Sequence, residues 1–195
     1  PRALTVHSHP PMPSSPDPLA LTSVPHTSLR ALRSALVRDL GDGFASVLQE
    51  AGFAGGASVL DAFAAWCGRS GLAAPATLPI ETFHAGLARF LAEEGWGRIT
   101  VTPLGEAVLA IDSADWAEAD PDAPMPYPSC YYSAGMFADL LGRVADAPVG
   151  CMEVTCQSSG ATHCRFLVGN PEVMAHVYQR ITEGAGYQDA LDELA

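Results

Sequence analysis

Four of the five cysteines fall between positions 130 and 164 of the 195-residue chain. The dense part runs Cys151-Met152-Glu153-Val154-Thr155-Cys156, then reaches His163-Cys164 after a short polar connection containing Ser158-Ser159-Gly160. Thiolates, a carboxylate and an imidazole within such a span are the donors a zinc ion draws on, four at a time. Cys156 and Cys164 stand at the shoulders of an expected hairpin, so their side chains can converge. Glu153 lies just upstream on the same strand, and Cys130 heads the following helix, where the helix dipole favours a thiolate. The set Cys130, Glu153, Cys156 and Cys164 therefore brings three elements to one point. One condition attaches to it. Residues three apart on a regular strand face opposite sides, so Glu153 and Cys156 share an ion only where the strand ends or bulges between them. Cys151 shares a face with Glu153 and is the obvious substitute ligand; His163 is another. A buried, reduced set of cysteines and a Cys156–Cys164 disulfide are the remaining readings of the pattern.

The elements that must position these residues follow from periodicity. Leu29, Leu32, Leu36, Leu40, Phe44, Val47 and Leu48 keep helical spacing up to Gly52, behind a cap at Thr27 or Ser28, with Gly41 and Gly43 interrupting. Further helices are expected over Ser58–Cys67 and Ile80–Glu94. The period then changes to two. Arg98–Thr102 and Glu106–Ile111 read as strands of one hairpin, Val149–Cys156 and His163–Val168 as strands of a second. A helix over Tyr131–Val144 separates the hairpins, and another opens at Pro171. The acidic stretch Asp112–Asp122 reads as a solvated loop. This order predicts an α+β fold with an antiparallel sheet of hairpins packed with helices. Pro10, Pro11, Pro13, Pro16, Pro18 and Pro25 make residues 1–26 an expected disordered or extended arm, which leaves 27–195 as one domain.

Composition narrows the function. The formal charge is −12, and all ten basic residues are scattered arginines, so neither a nucleic-acid partner nor an anionic membrane surface is expected. No apolar run is long enough for a membrane span. The N-terminal stretch lacks the apolar centre of a signal peptide, and a cytoplasmic location is expected. No phosphate-binding glycine loop and no dinucleotide fingerprint follow a strand.

The segment Cys130-Tyr131-Tyr132-Ser133-Ala134-Gly135, then Glu153-x-x-Cys156, Gly160 and Cys164-Arg165-Phe166, resembles the 4-vinyl-reductase domain family. Its spacings are similar to those of the zinc ligands in sensor domains of phenol- and toluene-responsive activators, and Gly95-Trp96-Gly97 also looks like the family. The resemblance implies a fold similar to the small vesicle-tethering TRAPP subunits, a structural zinc, a homodimer, and a hydrophobic pocket beside the zinc that takes a small apolar or aromatic molecule. Trp96, Val101, Leu109, Ile111, Tyr131, Tyr132 and Met136 are the expected pocket residues. The phenol sensors hold the phenol hydroxyl with a His and a Trp; Val101, Leu109 and Ile111 stand near those places here, which speaks against phenol itself. The resemblance leaves two alternatives: an enzyme or accessory protein of bacteriochlorophyll vinyl reduction, and a module that binds a protein or a lipid. His84, on the third helix, is expected to be exposed or satisfied rather than part of a pocket.

Overall fold

The structure is a computed structural model and describes residues 21–194. Most of the expected N-terminal arm, residues 1–20, lies outside the described residues; residues 21–25 carry no regular structure. Helix α1 spans His26–Leu40 and starts one or two residues before the expected caps. The Pro25 carbonyl takes the first amides, from Ser28 and Leu29, so Thr27 and Ser28 are already helical. A single 3-10 turn, Gly41–Gly43, turns the chain into α2, Phe44–Arg69.

Helix α2 corrects the expected boundaries. Instead of stopping at Gly52 and restarting at Ser58, it runs unbroken for 26 residues. A helical glycine costs about 1 kcal/mol relative to alanine, and contact with a second helix offsets that cost. This is α4, Tyr131–Ala145. A Cβ on Gly52 would overlap the Tyr132 carbonyl, one on Gly56 would sit 2.7 Å from Cβ of Asp139, and one on Gly135 would overlap the Gln49 carbonyl. The glycines are where the two backbones touch.

Helix α3 covers Ile80–Glu93. Strands β1, Thr100–Leu104, and β2, Val108–Ser113, form the first hairpin; β3, Gly150–Thr155, and β4, Cys164–Gly169, form the second. The hairpins merge into one antiparallel sheet of order β1-β2-β4-β3, with Ser113 opposite Cys164 and Val108 opposite Gly169. Side-chain alternation gives the sheet two apolar faces. Ile111, Phe166 and Val168 pack under α2, α3 and α4 in the main core. Val108, Ala110 and Leu167 pack under α5, Pro171–Thr182, and α6, Tyr187–Asp192. The α+β class and the antiparallel hairpins are as the periodicity predicts. Among the described residues no helix is long and apolar enough to cross a membrane.

Candidate metal centre and apolar cavity

The head of α4 is built from two carboxylates. Cys130 is the residue preceding its first turn. Glu153 Oε2, on β3, accepts the backbone N–H groups of Ser129 and Cys130, both at 2.8 Å. Glu118 accepts the N–H groups of Tyr132 at 3.0 Å and Ser133 at 2.8 Å, and the Ser133 hydroxyl as well. The amides that a helix start leaves without partners are thereby satisfied by carboxyl oxygens. This arrangement overturns the reading of Asp112–Asp122 as a solvated loop. Trp116 to Asp120 are buried: Glu118 caps α4, and Trp116 Nε1 donates to Ser133 Oγ at 2.7 Å.

The strand irregularity that shared ligation needs is present. Glu153 pairs with Phe166 and Thr155 with Arg165, so Val154 is an extra residue, and β3 ends before Cys156. The bulge turns Glu153 and Cys156 to the same side. Sγ of Cys130, Cys156 and Cys164 and a carboxylate oxygen of Glu153 all lie within 4.8 Å of one another, and the three cysteines are buried. Cys151 is buried in the main core outside this group, and His163 is half-exposed beside Asp112 at 3.6 Å. All five cysteines are free thiols.

The cluster fits a divalent ion on three counts. The Cys130–Cys156 sulfur separation is 3.7 Å, close to the ~3.8 Å edge of a tetrahedron with metal–sulfur bonds of about 2.3 Å. Glu153 Oε1 is buried with no hydrogen-bond partner, while Oε2 is fully engaged. Finally, four acidic donors are packed together in one group. Burial pushes the Glu153 carboxyl and the Cys130 thiol above their ordinary values. The thiols of Cys130 and Cys164, with help from Ser158, hold Cys156 well below its own. A bound cation favours the deprotonated form of every one of these groups.

A cavity of about 560 Å³ lies between the sheet, α3 and the tail of α4. It takes in three of the expected pocket residues, Val101, Leu109 and Ile111, together with Leu87, Leu141 and Val144. It is not beside the cysteines. Leu141 is eleven residues along α4 from Cys130, about 16 Å at 1.5 Å per residue. The cluster sits at the Ser113–Cys164 end of the sheet and the cavity at the Val108–Gly169 end. Of the other expected residues, Trp96 and Tyr132 stack with ring centroids 5.8 Å apart and line a separate recess of about 350 Å³ under residues 21–32. Tyr131 sets its ring edge-on to Phe44, and Met136 is enclosed in the core on neither wall.

His84 departs from its expected role. It is on the cavity wall, and its Nε2 is buried with no hydrogen-bond partner. Burial lowers its pKa, which favours the neutral ring. Nothing in the local sequence marks this, since the orphaned nitrogen results from what does not pack against it.

Residues 120–170 match the sequence model of the 4-vinyl-reductase domain, the segment that holds all four clustered donors. No curated protein matches the sequence. Solved structures that share the fold include three at 18% identity. The phenol-responsive sensory domain of the transcription activator PoxR, with phenol, aligns with TM-score 0.63 over 78% of this chain and 77% of its own. A trafficking protein particle complex subunit 3 from Naegleria fowleri, covalently bound to palmitic acid, aligns with TM-score 0.58 over 74% and 91%. A vinyl-4-reductase family protein from Methanocaldococcus jannaschii aligns with TM-score 0.51 over 76% and 82%. The fold is thus the one that 4-vinyl-reductase proteins and TRAPP subunits share, and the resemblance read from the cysteine segment holds over that segment.

Proposed function

We propose that residues 27–195 form one ligand-binding domain of the sensor type, which takes a small, uncharged, largely apolar molecule into the cavity and is held together by a structural zinc. The observation that carries the reading is the cavity itself. Its volume is in the range of small-molecule sites, and its wall is apolar apart from a few polar groups such as His84. The likeness to a sensory domain seen with phenol supports the same class of ligand. The expected contacts are Val101, Leu109 and Ile111; Trp96, Tyr131, Tyr132 and Met136 line no part of this cavity.

Cys130, Glu153, Cys156 and Cys164 are the proposed zinc ligands, a thiolate-rich set that suits zinc over calcium or magnesium. Zinc bound there ties β3, β4 and the head of α4 together, and four protein donors leave no open position for a reacting water. Free thiols of this kind persist in a reducing compartment such as the cytoplasm. Leu32 and Leu40 on α1 and Val47 and Phe53 on α2 are exposed, which supports a homodimer through these helices.

The test is calorimetric titration of the zinc-loaded protein with toluene, a cresol and a short-chain alcohol, in the wild type and in Leu109→Trp. Saturable binding of at least one compound, lost in the variant while zinc content stays the same, is the expected result. Equal affinity in both proteins, or no binding of any of the three, overturns the cavity as the ligand site.

A further inference from the structure

Helix α1 has one buried residue, and it is an arginine. Arg33 is 5% exposed and is the sole buried cation among the described residues. The apolar residues of the same helix are half-buried or exposed, so α1 is not seated by a hydrophobic stripe as an amphipathic helix usually is. Its guanidinium seats it instead. Nη1 donates to the Glu118 carbonyl at 3.3 Å and to Ser158 Oγ at 3.1 Å, and Nη2 donates to Ser129 Oγ. Ser129 precedes Cys130, and Ser158 follows Cys156 by two residues. Ser158 Oγ also accepts the Asp120 amide at 2.8 Å. One planar fork thus joins the connections that carry two of the clustered thiols and the loop that carries Glu118.

A nearby cation suits the charge of the cluster. Three thiolates and a carboxylate exceed a divalent ion by two negative charges, and buried charge is tolerated where an opposite charge and hydrogen bonds accompany it. Arg33 supplies a permanent cation, and its fork geometry spans two hydroxyls at once, which a lysine ammonium does not reproduce. Groups behind the ligands of a metal site typically change its affinity by about 10–100-fold when removed.

We propose that Arg33 is a positioning residue of the metal centre and that it couples the docking of α1 to occupancy of that centre. Metal binding orders the Ser129 and Ser158 hydroxyls, and these hold Arg33 and with it α1. By linkage, docked α1 tightens metal binding by the same factor. The inference rests on the metal reading of the cluster.

Two measurements test it. Zinc affinity is read by competition with a chromophoric chelator in the wild type, Arg33→Met, Arg33→Lys and Arg38→Met, the last an exposed arginine of the same helix. Arg33→Met should weaken zinc about 10–100-fold, Arg33→Lys should recover part of that loss, and Arg38→Met should match the wild type. Amide hydrogen exchange of the wild type with and without zinc needs no variant. Removing zinc should release the α1 amides while those of α3 stay protected. Equal affinity in the wild type and Arg33→Met, unchanged α1 protection, or loss of protection everywhere at once would each overturn the coupling. A wild type that takes up no zinc at all fails the metal reading instead.

Discussion

Glu153 holds Cys130 by its backbone. Its Oε2 accepts the Cys130 amide at 2.8 Å, while its Oε1 is left buried and unpartnered beside three thiols. A single carboxylate on β3 therefore positions a residue at the head of α4 and offers the remaining oxygen to the same site. Replacing Glu153 by Ala should cost more than the loss of one ligand, because the Ser129 and Cys130 amides lose their acceptor too, at about 1–3 kcal/mol for each buried orphan. Glu153→Gln keeps an acceptor and should retain much of the stability while binding zinc more weakly. Urea denaturation and metal analysis of the two variants separate these effects; equal stability losses would argue against the double role.

The cysteines divide into those within the cluster and those outside it. Cys156→Ser or Cys164→Ser should lose the metal and several kcal/mol of stability, since the affinity of a structural metal is folding free energy. Cys67→Ser and Cys151→Ser should keep one metal per chain, because both residues are core side chains outside the group. Elemental analysis of the four purified variants decides, and unchanged metal in the first pair would remove the assignment.

Glu118 gives the fold a pH signature. Burial, opposed by the donors on Ser133 and Tyr132, pushes its carboxyl up to about 7 from the ordinary 4.5. A group raised in the folded state holds a proton that the unfolded chain has released. Its contribution is complete below the unfolded value and declines as pH rises through the folded one, by up to about 3 kcal/mol in total. Glu118→Gln lacks this slope. Between pH 5 and pH 8, at saturating zinc, the stability difference between the wild type and Glu118→Gln should move in favour of the variant. A constant difference would mean that the head of α4 keeps the carboxylate ionised throughout.

His84 makes a prediction of opposite sign to most buried substitutions. Its orphaned Nε2 carries a desolvation cost with no compensating bond. His84→Leu should therefore stabilise the ligand-free protein by about 1 kcal/mol and leave zinc content unchanged. A destabilised variant, measured by thermal melting, would show that the nitrogen has a partner after all.

Gly135 is expected to be intolerant of any side chain. A Cβ there would overlap the Gln49 carbonyl, and α2 and α4 would have to separate. Gly135→Ala should lose at least the roughly 1–3 kcal/mol typical of overpacking, despite alanine's better helix propensity. Gly68→Ala, at a helical glycine with open space around it, should be neutral or slightly stabilising. Chemical denaturation of the pair checks the contrast.

What the residue pattern could show was whatever depended on nearby chain. The hairpins, α3, α4 and the gathering of Cys130, Glu153, Cys156 and Cys164 were all legible, because strand alternation and donor spacing are local properties. The pattern also set the condition that the strand end or bulge between Glu153 and Cys156, and the irregularity at Val154 meets it. Features set by distant partners were not legible. Gly52 and Gly56 resemble stops until α4 is laid against them. Glu118 resembles a solvated acid until its helix start is found 14 residues later. Arg33 stands among leucines on a surface helix, and nothing near it indicates that its guanidinium is buried. The family resemblance pointed to the thiols but suggested an adjoining pocket, whereas the apolar cavity lined by Val101, Leu109 and Ile111 is at the other end of α4.

The glycine contacts between α2 and α4 run from Tyr132 to Leu140 and stop there. Mechanically, α4 is held most tightly at its head. Its root is clamped against α2, and its last turn, Leu141 to Ala145, overhangs the cavity. The overhang is about 7 Å long and ends at Asp146 in a left-handed conformation. In the proposed ligand-binding role, a guest of greater girth would press first on that last turn, where Leu141 and Val144 pack on the core. The clamped root, with the cysteine at its head, would stay in register, so strain at the cavity end would leave the clustered donors where they are.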